Sequence, residues 1–297
     1  MSKKIYNKQG FIRDPLEDRI LYGIVGILLT LFTIIVAYPI IYVLSSSFSS
    51  GIANSTGRVV LWPVDFSLEG YRTVFAHRYI GSAYRNTIFY TVAGTLINLF
   101  VTLTCAYPLS RSDFKGGKVM MALCVFTMYF SGGLIPTFLL YQNTYHIYNS
   151  YLALLLPGAI SSWNLIVMRT SFQGIPRELE ESAYIDGAND FVVLIRVILP
   201  LSTATIAVMT LFYGVSHWNS WFAAMIYLED RSKYPLQLFL REMLVLKDGA
   251  GVTTEEEMLA ENLKYATIVV ATVPILFIYP FIQRYFVKGV MVGALKG

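Results

Sequence analysis

Six apolar runs in this chain are long enough, or nearly long enough, to cross a lipid bilayer. A spanning helix needs about 20 apolar residues, because each residue rises about 1.5 Å and the backbone polar groups must be hydrogen-bonded within the segment. The runs are Ile20–Leu44, Thr87–Leu109, Val119–Tyr141, Tyr151–Met168, Val197–Trp221 and Tyr265–Phe286. We therefore predict an all-α, polytopic membrane protein with six transmembrane helices.

Composition supports membrane insertion and argues against other classes. With 55% apolar and 14% charged residues, the chain has too little polar surface for a soluble globule. The net charge of +4 is spread through the loops, so nucleic acid is not an expected partner. The first run is too long for a signal-peptide core and is interpreted as a retained anchor helix. Cys105 and Cys124 lie in apolar stretches and indicate neither a disulfide nor a metal site.

The distribution of Lys and Arg predicts the orientation in the membrane. Fourteen of the 23 basic residues fall on the side that holds both termini, the loop after the second run and the loop after the fourth. The other nine lie in two long loops, which translocate largely regardless of charge, and the short loop 142–150 has none. Both termini are therefore expected to be cytoplasmic.

The loop between the fourth and fifth runs contains ESAYIDGANDFVVLIRVILP, residues 181–200. Pro176 suits the start of a helix, and the acidic residues that follow complement the positive end of its dipole. Gly187 is placed to take a positive φ and end that helix, and Asn189 or Asp190 to cap the next one. The pattern predicts a short helix, a glycine elbow and a second helix. By spacing alone, the loop is equally well a capped connector between two spans.

A resemblance favours a more specific interpretation. The loop resembles the coupling loop of bacterial ABC importer permeases. The resemblance lies in Glu181-Ser182-Ala183, with Ser182 in place of an alanine, followed by Asp186-Gly187-Ala188 and Leu199-Pro200. Two further regions resemble maltose-type sugar permeases: Trp218-Asn219 with Leu228-Glu229-Asp230, and the tail Gln283–Gly297. Residues Ala266–Ile275 resemble the subgroup that handles complex oligosaccharides and polysaccharide fragments.

The resemblance implies a fold, a function and partners. The fold would be a type I ABC importer transmembrane domain, in the cytoplasmic membrane of a bacterium. The chain would translocate carbohydrate by alternating access, together with a second, related permease, two cytoplasmic ATPase subunits and an extracytoplasmic sugar-binding protein. It would bind no cofactor itself, and ATP and Mg would lie on the ATPase.

The expected organisation has three parts. Residues 1–84 hold the cytoplasmic N-terminus, the first transmembrane helix and an extracytoplasmic loop. Residues 85–286 form the permease core with the coupling loop at 173–197, and residues 287–297 form a cytoplasmic tail. The loop 228–264, with eight acidic and five basic residues, is either a landing surface for a binding protein or simply a solvated face.

Candidate site residues fall into two groups, and no catalytic, cofactor-binding or metal-binding residue is predicted. No G-x-x-x-x-G-K-[ST] motif occurs, so ATP hydrolysis would belong to a partner. The residues expected to couple to the ATPase are Glu180, Glu181, Ser182, Ala183, Asp186, Gly187 and Ala188. The candidates for the substrate path, chosen as costly polar or aromatic residues within the spans, are Asn98, Asn164, His217, Trp218, Asn219 and Trp221. The same residue types also join helices or sit at bilayer interfaces.

The sequence is less consistent with two other functional classes. An ion-coupled secondary transporter needs buried carboxylates or lysines, and residues 87–109, 119–169 and 197–228 contain no Asp, Glu or Lys. A membrane-embedded enzyme needs a cluster of acids, bases or metal ligands at one depth, and none recurs.

Overall fold

Every regular element in the described part of the chain is helical, as predicted. The structure is a computed structural model that describes residues 16–248 and 262–277. The helices are α1 Leu16–Ser47, α2 Gly51–Ser55, α3 Glu69–Ala76, α4 Ile80–Ser110, α5 Gly117–Tyr129, α6 Leu134–Leu139, α7 Leu152–Leu155, α8 Ser162–Gln173, α9 Glu178–Ile185, α10 Asp190–Val193, α11 Leu199–Leu201, α12 Thr203–Trp218, α13 Phe222–Tyr227, α14 Leu236–Asp248 and α15 Asn262–Phe277. π-Helical turns at Leu140–Thr144 and Leu194–Ile198 and a 3₁₀ turn at Arg231–Lys233 complete the set.

The chain divides into two compact units. One comprises Met1–Tyr71 with Thr253–Val269, and the other comprises Arg72–Val252 with Val270–Gly297. In the first unit, α1 ends in a serine-rich turn. Ser45 Oγ donates to the Leu61 carbonyl at 2.6 Å, and Ser49 Oγ accepts from the Val64 N–H at 3.0 Å. These contacts satisfy polar groups where the apolar helix stops.

The spans are less regular than six straight helices. Among the described residues, α1 and α4 are each long and apolar enough to cross a bilayer, and two further pairs qualify only if each bent pair is one span. The pair Gly117–Tyr129 and Leu134–Thr144 is bent by 115°, and the pair Asp190–Leu201 and Thr203–Trp218 by 85°. The predicted fourth span is also interrupted, since α7 ends at Leu155 and α8 begins only at Ser162.

Local chemistry explains these breaks. The first break falls at Gly132-Gly133, and Gly133 takes φ +86° just before α6, a conformation that glycine adopts without strain. Pro157 and Gly158 disfavour helix in the fourth run, and Ser161 then caps α8 by accepting from the Asn164 N–H. In the fifth run Pro200 lacks an N–H and crowds the preceding turn, where the π-helical turn Leu194–Ile198 lies. The 85° bend itself comes later, at Ser202.

The core of the second unit lies where α4, α8 and α12 pack together. Its buried residues include Tyr107 from α4, Met168 and Phe172 from α8, and Met209 from α12. Val193, Leu194 and Ile198 join the same cluster from the segment after the loop. The loop is therefore connected through side-chain packing to the helices that carry the core.

Several predicted features lie outside the described residues. These are four basic residues of the N-terminus, four acids of the loop 228–264, and the tail: Lys3, Lys4, Lys8 and Arg13; Glu255, Glu256, Glu257 and Glu261; and Gln283–Gly297. Of the predicted sixth span, α15 covers the part up to Phe277 and residues 278–286 lie outside.

Candidate functional site

The glycine elbow of the loop forms as the sequence predicts. Gly187 has φ +83°, and the N–H groups of Gly187 and Ala188 donate to the carbonyls of Tyr184 at 3.0 Å and Ala183 at 2.9 Å. This pair of bonds is the Schellman motif, which satisfies the last carbonyls of a helix through a left-handed residue. The next helix is capped by Asn189, whose Oδ1 accepts from the Val192 N–H at 2.9 Å. The elbow is therefore fixed on both sides by hydrogen bonds.

A buried ion pair attaches α9 to the end of α4. Arg111 Nη1 donates to Glu180 Oε1, and their side chains are only 13% and 6% exposed. The Arg111 guanidinium carbon also lies 4.8 Å from the centre of the Tyr107 ring. Glu180 thus faces its own chain, which differs from the expectation that it is an acid presented to a partner.

A tyrosine chain makes a second attachment. The hydroxyls of Tyr107 and Tyr184 are 3.2 Å apart, and Tyr184 donates to Asp190 Oδ1 at 2.6 Å. Burial raises the pKa of the Tyr184 phenol, and its hydrogen bond to the Asp190 carboxylate raises the pKa further. The phenol therefore keeps its proton, and its donor role, at neutral pH.

A third attachment involves Arg177, whose Nη2 donates to Ser112 Oγ at 2.6 Å. The loop thus contacts the end of α4 and the residues after it at three separated points. Since hydrogen-bonded and ion-paired groups hold α9 against α4, the loop and that helix end are expected to move as one body.

The small residues of the motif do not share one environment. Glu181, Ser182, Asp186 and Gly187 are exposed, whereas Ala183 and Ala188 are half-buried and pack against the core cluster. The most exposed apolar side chain of the loop is Ile185, at 87%, on the same helical face as Ser182. Sequence reasoning missed Ile185, although an isoleucine next to an Asp-Gly helix end is a recognisable signal.

Three of the six candidate substrate residues line one cavity. Asn98, Asn164 and His217 border a space of about 450 Å³ between α4, α8 and α12. Asn98 Nδ2 donates to the Gly158 carbonyl, and Asn98 Oδ1 lies 2.6 Å from His217 Nε2. Other lining residues that the sequence did not single out include Tyr213, Ser216, Ser220 and Tyr227.

The other three candidates are positioned elsewhere. Trp218 is buried and donates to the Ala271 carbonyl at 3.1 Å. Asn219 is exposed and donates to the Val215 carbonyl at 3.0 Å. The ring of Trp221 lies under the guanidinium of Arg241, 3.7 Å from its central carbon. None of the three lines the cavity.

Close packing at Gly94 constrains the position of His217, which lines this cavity. A β-carbon at position 94 would come within 3 Å of several atoms of the His217 ring. Glycine is therefore required for α4 and α12 to approach with the imidazole between them.

Similarity to known proteins identifies the family, although no family model matches the sequence. The chain is 40% identical over 291 residues to the polygalacturonan/rhamnogalacturonan transport system permease protein YtcP of Bacillus subtilis, covering 96% of this chain and all of that one. The chain belongs to the permease family of carbohydrate ABC importers. The permease is therefore the membrane-embedded, non-catalytic subunit of a sugar importer, and the ion-coupled alternative is excluded.

Solved structures agree with this assignment. The permease matches a chain of a bacterial ABC transporter involved in the import of the acidic polysaccharide alginate, with TM-score 0.83 and 35% identity over 93% of the permease and 100% of that chain. A chain of a bacterial alginate ABC transporter in complex with an alginate pentasaccharide-bound periplasmic protein is 18% identical, with TM-score 0.55 over 91% of the permease and 96% of that chain. The second match indicates a shared fold.

Proposed function

We propose that the permease imports oligosaccharides released from acidic plant or algal polysaccharides. Two relatives support this substrate class: one is named for polygalacturonan and rhamnogalacturonan transport, and the other takes part in alginate import. Polygalacturonan and alginate are chains of uronic acids, so carboxylated sugars are the common chemistry.

The observation that carries the proposed mechanism is the attachment of the loop to α4. Glu180, Tyr184 and Arg177 each bind a different residue at or just beyond the end of that helix. ATP binding drives a conformational switch only if the ATPase prefers one state. A partner that moves α9 would then move α4, and with it one wall of the cavity. Alternating access follows from that linkage.

The proposed partners are a second, related permease, two ATPase subunits that carry ATP and Mg, and an extracytoplasmic sugar-binding protein. The sugar-binding protein is supported by the alginate transporter chain that shares this fold, which was crystallised in complex with a periplasmic protein. No charged residue in the described part of the chain lines the cavity, whereas Asn164 and Ser220 offer hydrogen-bonding groups and Tyr227 an aromatic ring. We therefore propose that this cavity contacts the hydroxyl groups and C–H faces of the sugar. The carboxylates of the uronic acids would be recognised by the binding protein.

The substrate proposal is tested with the importer reconstituted in proteoliposomes together with its binding protein. Oligogalacturonides and alginate oligosaccharides are expected to stimulate ATP hydrolysis and to accumulate inside, whereas maltooligosaccharides of equal length are not. Equal stimulation by the neutral sugars would contradict the acidic class, without contradicting the family.

We expect Ile185→Asp to weaken binding of the ATPase. The side chain is 87% exposed, so the change leaves the fold intact, and burying a new carboxylate in an apolar contact typically costs several kcal/mol. Co-purification of the ATPase measures the loss. Glu178→Asp, an exposed change about two turns earlier on the same face, is the control. Full retention of the ATPase with Ile185→Asp would move the docking surface away from α9.

The predicted orientation is tested by thiol labelling in a background without Cys105 and Cys124. Asn149 is a poor position, because its Oδ1 accepts from the N–H groups of Glu229 and Asp230. Asn143 is exposed and lies in the same short loop. Asn143→Cys is expected to react with an impermeant reagent in intact cells, and Asp113→Cys only after the membrane is opened. The reverse pattern would invert the topology.

A further inference from the structure

A basic cleft lies where the ends of α4 and α8 meet the start of α5. Its volume is about 640 Å³, and four cationic side chains line it, those of Arg111, Lys118, Arg169 and Arg177. Within residues 16–248 and 262–277, no Asp or Glu lines it. A concave surface lined by one sign of charge concentrates counter-ions of the opposite sign. Arg111 is already paired with Glu180, but Lys118, Arg169 and Arg177 have no ion-pair partner among the described residues, so the electrostatics of the cleft favour an anion.

The cleft also has hydrogen-bond donors to offer. Arg169 uses Nε for the Leu109 carbonyl, and Arg177 uses Nη2 for Ser112 Oγ, which fixes both guanidinium groups in place. Arg111 Nε and Nη2 have no hydrogen-bond partner in the described part of the chain, but both are buried, so Arg169 and Arg177 are the arginines that a ligand can reach. Guanidinium groups that are already oriented bind phosphate oxygens well, because less freedom is lost on binding.

The start of α5 adds to the positive potential. Gly116 and Gly117 line the cleft, and Gly116 has φ +99° with no side chain capping the helix. An uncapped helix N-terminus carries partial positive charge and N–H groups that face an anion. The helix start thus adds to the positive potential of Lys118, Arg169 and Arg177.

An apolar stripe leads away from the cleft along α5. Val119 lines the cleft, and Val119, Leu123 and Phe126 follow at helical spacing with exposures of 65%, 60% and 54%. α5 belongs to a pair of helices that is apolar enough to cross the bilayer. We propose that the cleft binds the phosphate of an anionic phospholipid, whose acyl chains lie along this stripe. Basic pockets between membrane helices are a known mode of headgroup binding.

The test uses the purified full-length permease in neutral detergent, titrated separately with phosphatidylglycerol, phosphatidylcholine and inorganic phosphate, with binding read by native mass spectrometry. Phosphatidylglycerol is expected to bind at least about tenfold more tightly than phosphatidylcholine, since each basic residue near a membrane surface contributes appreciably. Lys118→Glu is expected to remove most of that preference. Lys115→Glu is the matched control, because Lys115 is also exposed but lines a neighbouring cleft.

Three outcomes would overturn the proposal. Equal affinity for the two lipids would mean that the cleft does not recognise the anionic headgroup. If Lys115→Glu and Lys118→Glu reduced the preference for phosphatidylglycerol equally, that preference would reflect the overall positive charge of the surface and not this cleft. Inorganic phosphate displacing the lipid at equal concentration would indicate a site for the free anion, with no part for the apolar stripe.

Discussion

Glu180→Ala is expected to destabilise the permease by about 3 to 5 kcal/mol, the largest effect of any single change in the loop. The substitution leaves the Arg111 guanidinium buried beside Tyr107 without its counter-charge. Two other nitrogens of Arg111 are already buried without a partner in the described part of the chain, so little compensation is at hand. The thermal midpoint of the purified importer measures the effect.

Matched variants distinguish the effect of breaking the buried ion pair from the effect of removing any acidic side chain from the loop. Glu181→Ala removes the neighbouring, exposed acid and is expected to change stability by less than about 0.5 kcal/mol. The double variant Arg111→Met with Glu180→Leu removes both charges and keeps similar volumes, so it should recover most of the stability. A loss in Glu180→Ala no larger than in Glu181→Ala would show that the pair does not hold the loop.

Gly187→Val is expected to uncouple ATP hydrolysis from sugar. A residue with a β-carbon at φ +83° costs roughly 1 to 2 kcal/mol, and a β-branched one more, so the Schellman bonds at the end of α9 should open. A β-carbon there meets no atom within 4 Å, so the effect is backbone strain alone. Sugar-stimulated ATPase activity and uptake should both fall by about tenfold if the strain approaches 1.4 kcal/mol.

Gly187→Asn is the control for this experiment, because asparagine enters the left-handed region more easily than other residues. It should retain most of the coupling, while expression of both variants stays near wild type. Wild-type uptake with Gly187→Val would mean that the geometry of the elbow does not transmit the signal.

The structural features that the sequence predicts correctly are those that depend on residues adjacent in the chain. Positive φ at Gly187 and the helix cap at Asn189 each follow from a residue type and its local context. The interruptions of the fourth and fifth runs were not predicted, although Pro157 and Pro200 carry the signal. Hydropathy counts apolar residues and does not detect where their helix is broken.

The inward position of Glu180 depends on a residue 69 positions away, Arg111, and no local pattern indicates it. The same holds for the cavity, where Asn98 and His217 meet across 119 positions while Trp218 and Asn219, next to His217, face other directions. Residue type selected plausible candidates, but only the packing of α4 against α12 decides which of them share a space.

The bend between α5 and α6 has a consequence for the solvent around the permease. α5 has 13 residues and so rises about 20 Å, less than the roughly 30 Å of hydrocarbon in a bilayer. Phe130, Ser131, Gly132 and Gly133 are non-helical and exposed in this chain. Irregular backbone at membrane depth is tolerated only where protein or water covers it. We infer that lipid alone cannot surround this chain. The exposed, non-helical backbone between α5 and α6 must be covered by another subunit or must line a water-filled passage.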